Sequence, residues 1–181
     1  PAVASSFVWL LLMNPDYGLF NEILRLLHLP RNQFFWGADS VLPSIVFMGI
    51  WSTGATQVIF LAGLQNIPRV YYEALEIDGG NAWHKFWNVT LPMVSSTLFF
   101  NLVMGIIGAL QVFAQAYILT EGGPNNRFLF YVYNLWRQAF KYMDMGKASA
   151  MAWLLFFVVM ILTAVVFRTS NKWVYYEGGE D

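Results

Sequence analysis

Residues Tyr72 to Pro92 read YEALEIDGGNAWHKFWNVTLP, the most polar run between two long apolar segments. Together with the residues from Pro68 onward, the first part reads as a helix to Ile77. Pro68 suits a first helical position, because the N–H it lacks would go unpaired there anyway. Glu73 and Glu76 are expected early in that helix, where negative charge is favoured. Gly79-Gly80 ends it, since glycine reaches the left-handed conformation without steric cost. A second short helix follows, with Trp83, Phe86, Trp87 and Thr90 at three- and four-residue spacing on one aromatic face. Leu91-Pro92 is expected to stop this helix and begin the next apolar segment. The product is a helix–turn–helix hairpin at 68–92, too polar for hydrocarbon and held between two membrane helices.

The rest of the chain supplies the membrane. Of its 181 residues 57% are hydrophobic and only 12% charged, about half the charged share of a soluble domain. The net charge of −1 gives no electrostatic case for nucleic acid. Cysteine is absent, so neither a disulfide nor a thiolate metal site can form. His28 and His84 are far apart and lack partners at ligand spacing, so no metal site is expected.

Four apolar segments are expected to meet the membrane, at about 1–13, 41–63, 93–119 and 148–167. The first is shorter than the roughly 20 residues a helix needs to cross and reads as the end of a truncated span, so the chain is expected to be a fragment. Asn14-Pro15-Asp16-Tyr17-Gly18 is a turn signal. Phe20, Ile23, Leu24 and Leu27 then form an apolar stripe, expected to lie in the interface. Trp36 fits an aromatic belt. Val41 to Gly63 is uncharged, with Gly49, Gly54 and Gly63 allowing close helix approach. Thr53 and Gln57 share a face there. Met93 to Leu119 is also uncharged. Asn101, Gly108 and Gln115 recur there every seven residues, and Gln111 lies within about 80° of them around a helix, so one face is polar. Amides both donate and accept, which suits the hydroxyls of a neutral sugar. Amides also hold membrane helices together, so Gln57, Asn101, Gln111 and Gln115 are candidates for a substrate path with a structural alternative. After the loop Glu121–Asn126, Phe128, Val132, Leu135, Ala139 and Met143 follow a helical stripe, with Asn134, Arg137 and Lys141 on another face, which reads equally as an interfacial helix or as a solvated loop helix packed on the bundle. Residues 169–181 form a polar tail.

The ten basic and eleven acidic residues all lie outside the four apolar segments. Carriers driven by protons or ions commonly keep an ionisable group within the membrane. A phosphate loop of the GxxxxGK[ST] type is missing as well. Neither a catalytic triad nor paired carboxylates point to an enzyme. Energy for active transport would therefore come from another subunit, through a docking surface, and the hairpin has the size and shape for one. A secondary carrier for a neutral solute and a non-transporting scaffold subunit are the alternatives. A bound ATPase excludes the first, and vectorial uptake excludes the second.

The hairpin residues also carry a resemblance. Glu73, Ala74, Gly79, Leu91 and Pro92 match, with every spacing kept, the pattern Glu-Ala-Ala, three residues, Gly, nine residues, Ile, one residue, Leu-Pro. That pattern marks the membrane subunits of binding-protein-dependent ABC importers. Leu75 and Val89 replace the third Ala and the Ile with other apolar residues. Asp78 and Gly80 resemble the sugar permeases, as do Ala62–Pro68, Asn14–Gly18, Gly122-Gly123-Pro124 and Met145–Ala150. The closing run Trp173–Glu177 is similar to the first permease of maltose- and glycerol-3-phosphate-type importers.

The resemblance implies an all-α integral membrane protein, a polytopic bundle of the type I, MetI-like ABC importer permease kind. It implies a six-helix core lacking its first two helices and part of the third. On that reading 1–168 is the transmembrane domain, 68–92 the cytoplasmic coupling hairpin and 169–181 a cytoplasmic tail, all at a bacterial or archaeal inner membrane. The implied partners are a second permease, two ATPase subunits that carry ATP and Mg, an extracytoplasmic solute-binding protein and membrane lipid. No cofactor is implied for this chain. Glu73 would contact basic groups of the ATPase, Ala74 would allow close packing and Gly79 would make the turn, with Leu75, Asp78, Leu91 and Pro92 completing the coupling motif. The basic residues of the loops run weakly against the positive-inside tendency, and the cytoplasmic placement of the hairpin follows the family.

Overall fold

The computed structural model describes residues 2–175; the tail residues 176–181 of the 169–181 segment lie outside them. Every regular element among the described residues is helical. Three helical stretches, Val41–Gln65, Ser95–Leu119 and Met145–Ser170, are long and apolar enough to cross a membrane, and Ala2–Leu12 is a shorter apolar helix. Contacts divide the chain into two compact units, one from residues 1–52 with 108–156, the other from 53–107 with the chain from 157 onward.

In the first unit, α1 (Ala2–Leu12) packs on α9 (Ala114–Leu119). Trp9, Met13, Phe35, Val41, Met48, Ala116, Leu119, Phe128 and Tyr133 form its buried core. The turn after α1 is set by Asn14, whose Oδ1 accepts the Asp16 N–H at 2.9 Å. That bond is the usual reason Asn opens a turn. The amphipathic helix α2 (Leu19–Leu26) then appears where the Phe20, Ile23, Leu24 stripe predicts it. Asn21, 2% exposed, pins α2 to the following loop: its Nδ2 donates to the Asn32 carbonyl at 2.9 Å, and its Oδ1 accepts the Asn32 N–H at 2.9 Å.

Both uncharged segments expected as single spans are interrupted. The first is α3 (Val41–Trp51) followed by α4 (Gly54–Gln65), with the joint at Ser52-Thr53. The Ser52 hydroxyl donates to the Gly49 carbonyl at 2.8 Å, a local bond of the kind that bends helices. The second is α8 (Ser95–Leu110) followed by α9, with Gln111, Val112 and Phe113 outside regular helix. This segment begins at Ser95 rather than Met93, because helical backbone continues through Pro92 to Met93 before the joint at Val94. The last span, α11 (Met145–Ser170), is longer than the apolar run 148–167 and includes Lys147 and Arg168 near its ends. Long basic side chains at helix ends reach back to the interface. The helix expected over 128–143 is shorter: α10 (Tyr131–Trp136) runs into a wide π turn at Arg137–Lys141. Phe128 precedes it, and Met143, at φ 56°, follows it. Tyr133, outside the predicted stripe, is its buried anchor at 3% exposure. Burial, with the Glu121 carboxylate adding to it, pushes the Tyr133 phenol above its ordinary value.

In the second unit, Ile67, Val89 and Val94 form a small core, joined by Phe60, Tyr72, Leu75 and Met93. Gly63 of α4 faces α8 closely enough that a Cβ there would lie 3.0 Å from Thr97 Oγ1 and 3.2 Å from a Val94 methyl. Small residues at such crossings are what lets membrane helices approach. The spans keep most of their apolar side chains on the outside, Val46, Val58, Phe100 and Val165 among them. That is expected of helices whose solvent is hydrocarbon.

Candidate functional site

The hairpin at 68–92 forms as two helical arms. The first, α5 (Arg69–Ile77), is capped by Pro68, which stays extended at ψ 133° and so precedes the helix instead of opening it. Glu73 and Glu76 are the fifth and eighth residues of α5, whose first turn holds no acidic residue. The helix-dipole account expected for them does not apply. The first arm ends as predicted, at the glycines. Gly79 has φ +76°, its N–H donates to the Glu76 carbonyl at 3.0 Å, and the Gly80 N–H donates to the Leu75 carbonyl at 2.8 Å. This pair of bonds is the Schellman arrangement that satisfies carbonyls left open at a helix end.

Asn81 starts the second arm. Its Oδ1 accepts the N–H groups of Trp83 and His84, both at 3.0 Å, and His84 Nδ1 accepts the Asn81 N–H at 3.3 Å. His84 therefore has a reciprocal capping role. The arm continues from α6 (Ala82–Lys85) through a π turn at Phe86–Thr90 into α7 (Leu91–Met93). Leu91-Pro92 thus does not stop it. Pro92 sits at the start of the short α7, a position that tolerates proline. Trp83, Phe86 and Trp87 do form the expected aromatic cluster, with centroids 5.4–6.3 Å apart. Thr90 lies elsewhere, 3.0 Å from the Tyr72 hydroxyl on the opposite arm. An ion pair between Lys85 and Glu76 adds a second cross-link.

These ties give the hairpin two faces. Tyr72, Leu75 and Val89 turn inward to the small core. Glu73, Ala74, Asp78 and Gly79 are exposed, together with Val70, Ile77 at 87% and Trp83 at 67%. Leu91 and Pro92 are half-buried at the base. The exposed rim is thus both apolar and acidic. Ile77 is absent from the motif reading, although an apolar residue just before Asp-Gly-Gly, off the Tyr72/Leu75 side, would have indicated it.

The four amides expected along a path fall in both units. Gln57 and Asn101 belong to the second unit, Gln111 and Gln115 to the first. Gln57 Nε2 donates to Thr53 Oγ1 at 3.2 Å, and Asn101 Nδ2 donates to the Thr97 carbonyl at 2.8 Å, so both engage their own helices. Gln111 is exposed at the interruption between α8 and α9, and Gln115 is half-buried in α9. The heptad relation drawn from 101 to 115 fails because the helix does not run straight between them. His, Asp and Glu side chains gather nowhere among the described residues as a possible metal cluster.

Comparison with known proteins agrees with this architecture. The family model described as "Binding-protein-dependent transport system inner membrane component" matches residues 2–173. The probable ABC transporter permease protein YesP of Bacillus subtilis is 38% identical over 99% of this chain and 59% of its own length. The trehalose/maltose transport system permease protein MalF of Thermococcus litoralis is 35% identical over 94% of this chain and 58% of its own. The sn-glycerol-3-phosphate transport system permease protein UgpA of Brucella abortus is 34% identical over 97% and 60%. The chain thus spans about three fifths of the length of these relatives. A chain of a bacterial ABC transporter involved in alginate import superposes with TM-score 0.84 at 20% identity, over 95% of this chain and 61% of that one. With helices able to cross the bilayer several times, this chain is a multi-pass membrane component and not an enzyme: it belongs to the family of binding-protein-dependent transport system inner membrane components.

Proposed function

We propose that the chain forms part of the translocation path for a sugar or oligosaccharide in an ATP-driven importer, and that it couples to ATPase subunits through the hairpin at 68–92. The observation that carries this reading is the hairpin itself. It is a doubly tied, two-armed element with an exposed apolar and acidic rim at Val70, Glu73, Ala74, Ile77 and Trp83. The spans hold no ionisable residue away from their ends to support coupling to an ion gradient. ATP and Mg belong to the partner subunits on this reading. A second permease and an extracytoplasmic binding protein complete the assembly, the latter supported by an alginate transporter solved with its periplasmic protein.

The interruption at Gln111–Phe113 supports a path. Irregular backbone at membrane depth is tolerated where it is buried in protein or lines a water-filled cavity, and interrupted helices form substrate sites in other transporters. Neutral sugar is favoured because amides, and no basic side chain, occupy the middle of the spans. Glycerol-3-phosphate is the second reading, supported by the near-equal similarity to permeases named for either substrate.

The test is co-purification of the full-length protein with its candidate ATPase, and ATP-driven uptake, for wild type and the Glu73→Ala/Gly79→Pro double variant. Loss of association or uptake with unchanged membrane insertion is expected. Unchanged binding and transport would return the chain to the carrier or scaffold readings. Competition of uptake by maltose, trehalose or glycerol-3-phosphate then separates the substrate classes.

A further inference from the structure

Ser95, the first residue of α8, is 4% exposed and uses its hydroxyl twice. The Oγ donates to the Pro92 carbonyl at 2.5 Å and accepts the backbone N–H of Tyr175 at 2.8 Å. Pro92 closes the coupling motif, whereas Tyr175 lies beyond the end of α11. A second contact lies one turn along α8. Phe99 meets Trp173 at 6.1 Å and Phe167 of α11 at 4.9 Å, both edge-on. Ser95 and Phe99 are four residues apart and so share one face of α8. The turn that brings the chain back is fixed at Ser170, whose carbonyl accepts the N–H groups of Trp173 at 3.0 Å and Val174 at 2.8 Å. Tyr175 then lines a cleft with Tyr71, Asn88, Val89 and Pro92, residues of both hairpin arms.

The helical path from hairpin to α8 is interrupted twice, by the π turn at Phe86–Thr90 and by the joint at Val94. A push on the hairpin would be partly absorbed at those places. Resting on the reading of 68–92 as the ATPase-coupling element, we propose that the segment Trp173–Tyr175 is a clasp that carries hairpin displacement to α11, with Ser95 as its positioning residue. A hydroxyl can donate once and accept as well, which is what this position requires. Alanine leaves the Tyr175 N–H and the Pro92 carbonyl without this partner. Threonine keeps the hydroxyl, and its Oγ1 can bond the carbonyl three residues back as serine does.

The test uses the full-length protein reconstituted with its ATPase, second permease and binding protein, and reads solute taken up per ATP hydrolysed. Ser95→Ala is expected to lower that ratio by about five-fold, the low end of the coupling between two sites, while ATP hydrolysis and subunit assembly persist. Ser95→Thr is expected to restore it. A chain ending at Lys172, which loses the Phe99–Trp173 contact as well, should lower the ratio at least as far as Ser95→Ala, and adding Ser95→Ala to it should change nothing further, since the clasp is already gone. Wild-type ratios in both variants overturn the proposal, as do additive effects, or a loss of assembled complex with an unchanged ratio in what remains. Glu73→Ala run beside them keeps the two readings apart. If it uncouples and Ser95→Ala does not, only the clasp fails; if it does not uncouple, the hairpin reading itself fails.

Discussion

The hydroxyls of Tyr72 and Thr90 stand 3.0 Å apart, joining the two arms of the hairpin across 18 residues of sequence. Thr90 Oγ1 also lies 3.2 Å from the Lys85 carbonyl, to which it can donate while it accepts from Tyr72. Tyr72→Phe removes a single neutral bond and should destabilise the hairpin by about 1 kcal/mol. Thr90→Val removes that bond and the one to Lys85. A double-mutant cycle on the purified protein, read by thermal unfolding, should return an interaction of at least about 0.5 kcal/mol between the two sites. Strict additivity would mean that the arms are not joined here.

The two turn glycines should differ in sensitivity. At Gly79 a Cβ would meet nothing within 4 Å, so Gly79→Ala carries only the cost of the left-handed φ of +76°, roughly 1–2 kcal/mol. At Gly80 a Cβ would lie 2.6 Å from Leu75 Cγ and 2.8 Å from the Leu75 carbonyl oxygen, which the helix cap holds in place. Gly80→Ala should therefore be the more damaging, and Gly79→Asn the mildest, because Asn tolerates that backbone region. Uptake and melting temperature of the three variants give the order; equal effects of the two alanines would contradict the packing around Leu75.

The hairpin was readable from sequence because its determinants are local. Pro68, the Gly79-Gly80 pair and the spacing of Trp83, Phe86 and Trp87 each act within one or two turns of chain. Where the reading failed, the missing information was backbone geometry. Glu73 is the fifth residue of a helix that starts at Arg69, beyond the first turn in which the helix dipole is felt. The joints at Ser52-Thr53 and Gln111–Phe113 contain neither proline nor glycine. An apolar run reports that a segment prefers lipid, not that its helix is continuous, so the polar stripe from Asn101 to Gln115 was drawn on a straight helix that does not exist. Tyr133 lies off the stripe through Phe128 and Met143 because that stripe assumes one helix over 128–143, whereas α10 begins only at Tyr131 and leaves Phe128 outside it.

The ion pair between Arg127 and Asp39 invites a stability role it should not have. Arg127 Nη1 stands 2.7 Å from Asp39 Oδ1 and 2.9 Å from the Ala38 carbonyl, but the Asp39 side chain is 94% exposed. Exposed pairs of this kind contribute about 0–1 kcal/mol and weaken with salt. Asp39→Asn should move the melting temperature little, and raising NaCl should remove what difference there is. A large loss would show that the pair is covered in the assembled transporter, where it would anchor the loop at 37–40.

The amides should separate into structural and path-lining groups. The Asn101 side chain donates to the Thr97 carbonyl within its own helix, so Asn101→Leu removes a local bond and leaves an acceptor that already serves the helix. Its expected effect is a modest fall in stability with little change in the concentration dependence of uptake. Gln111 lies exposed where α8 gives way to α9, free of a regular helical ladder on its C-terminal side. If solute passes this point, Gln111→Leu takes away a donor and an acceptor that hydroxyls would use. One such contact is worth about 0.5–1.5 kcal/mol, so the apparent KM for uptake should rise by several-fold at unchanged expression. Gln111→Asn keeps both functions and should recover part of the affinity. The measurement is initial-rate uptake over a range of sugar concentrations in the reconstituted complex. A KM shift for Asn101→Leu but not for Gln111→Leu would place the path along α8 rather than at its interruption.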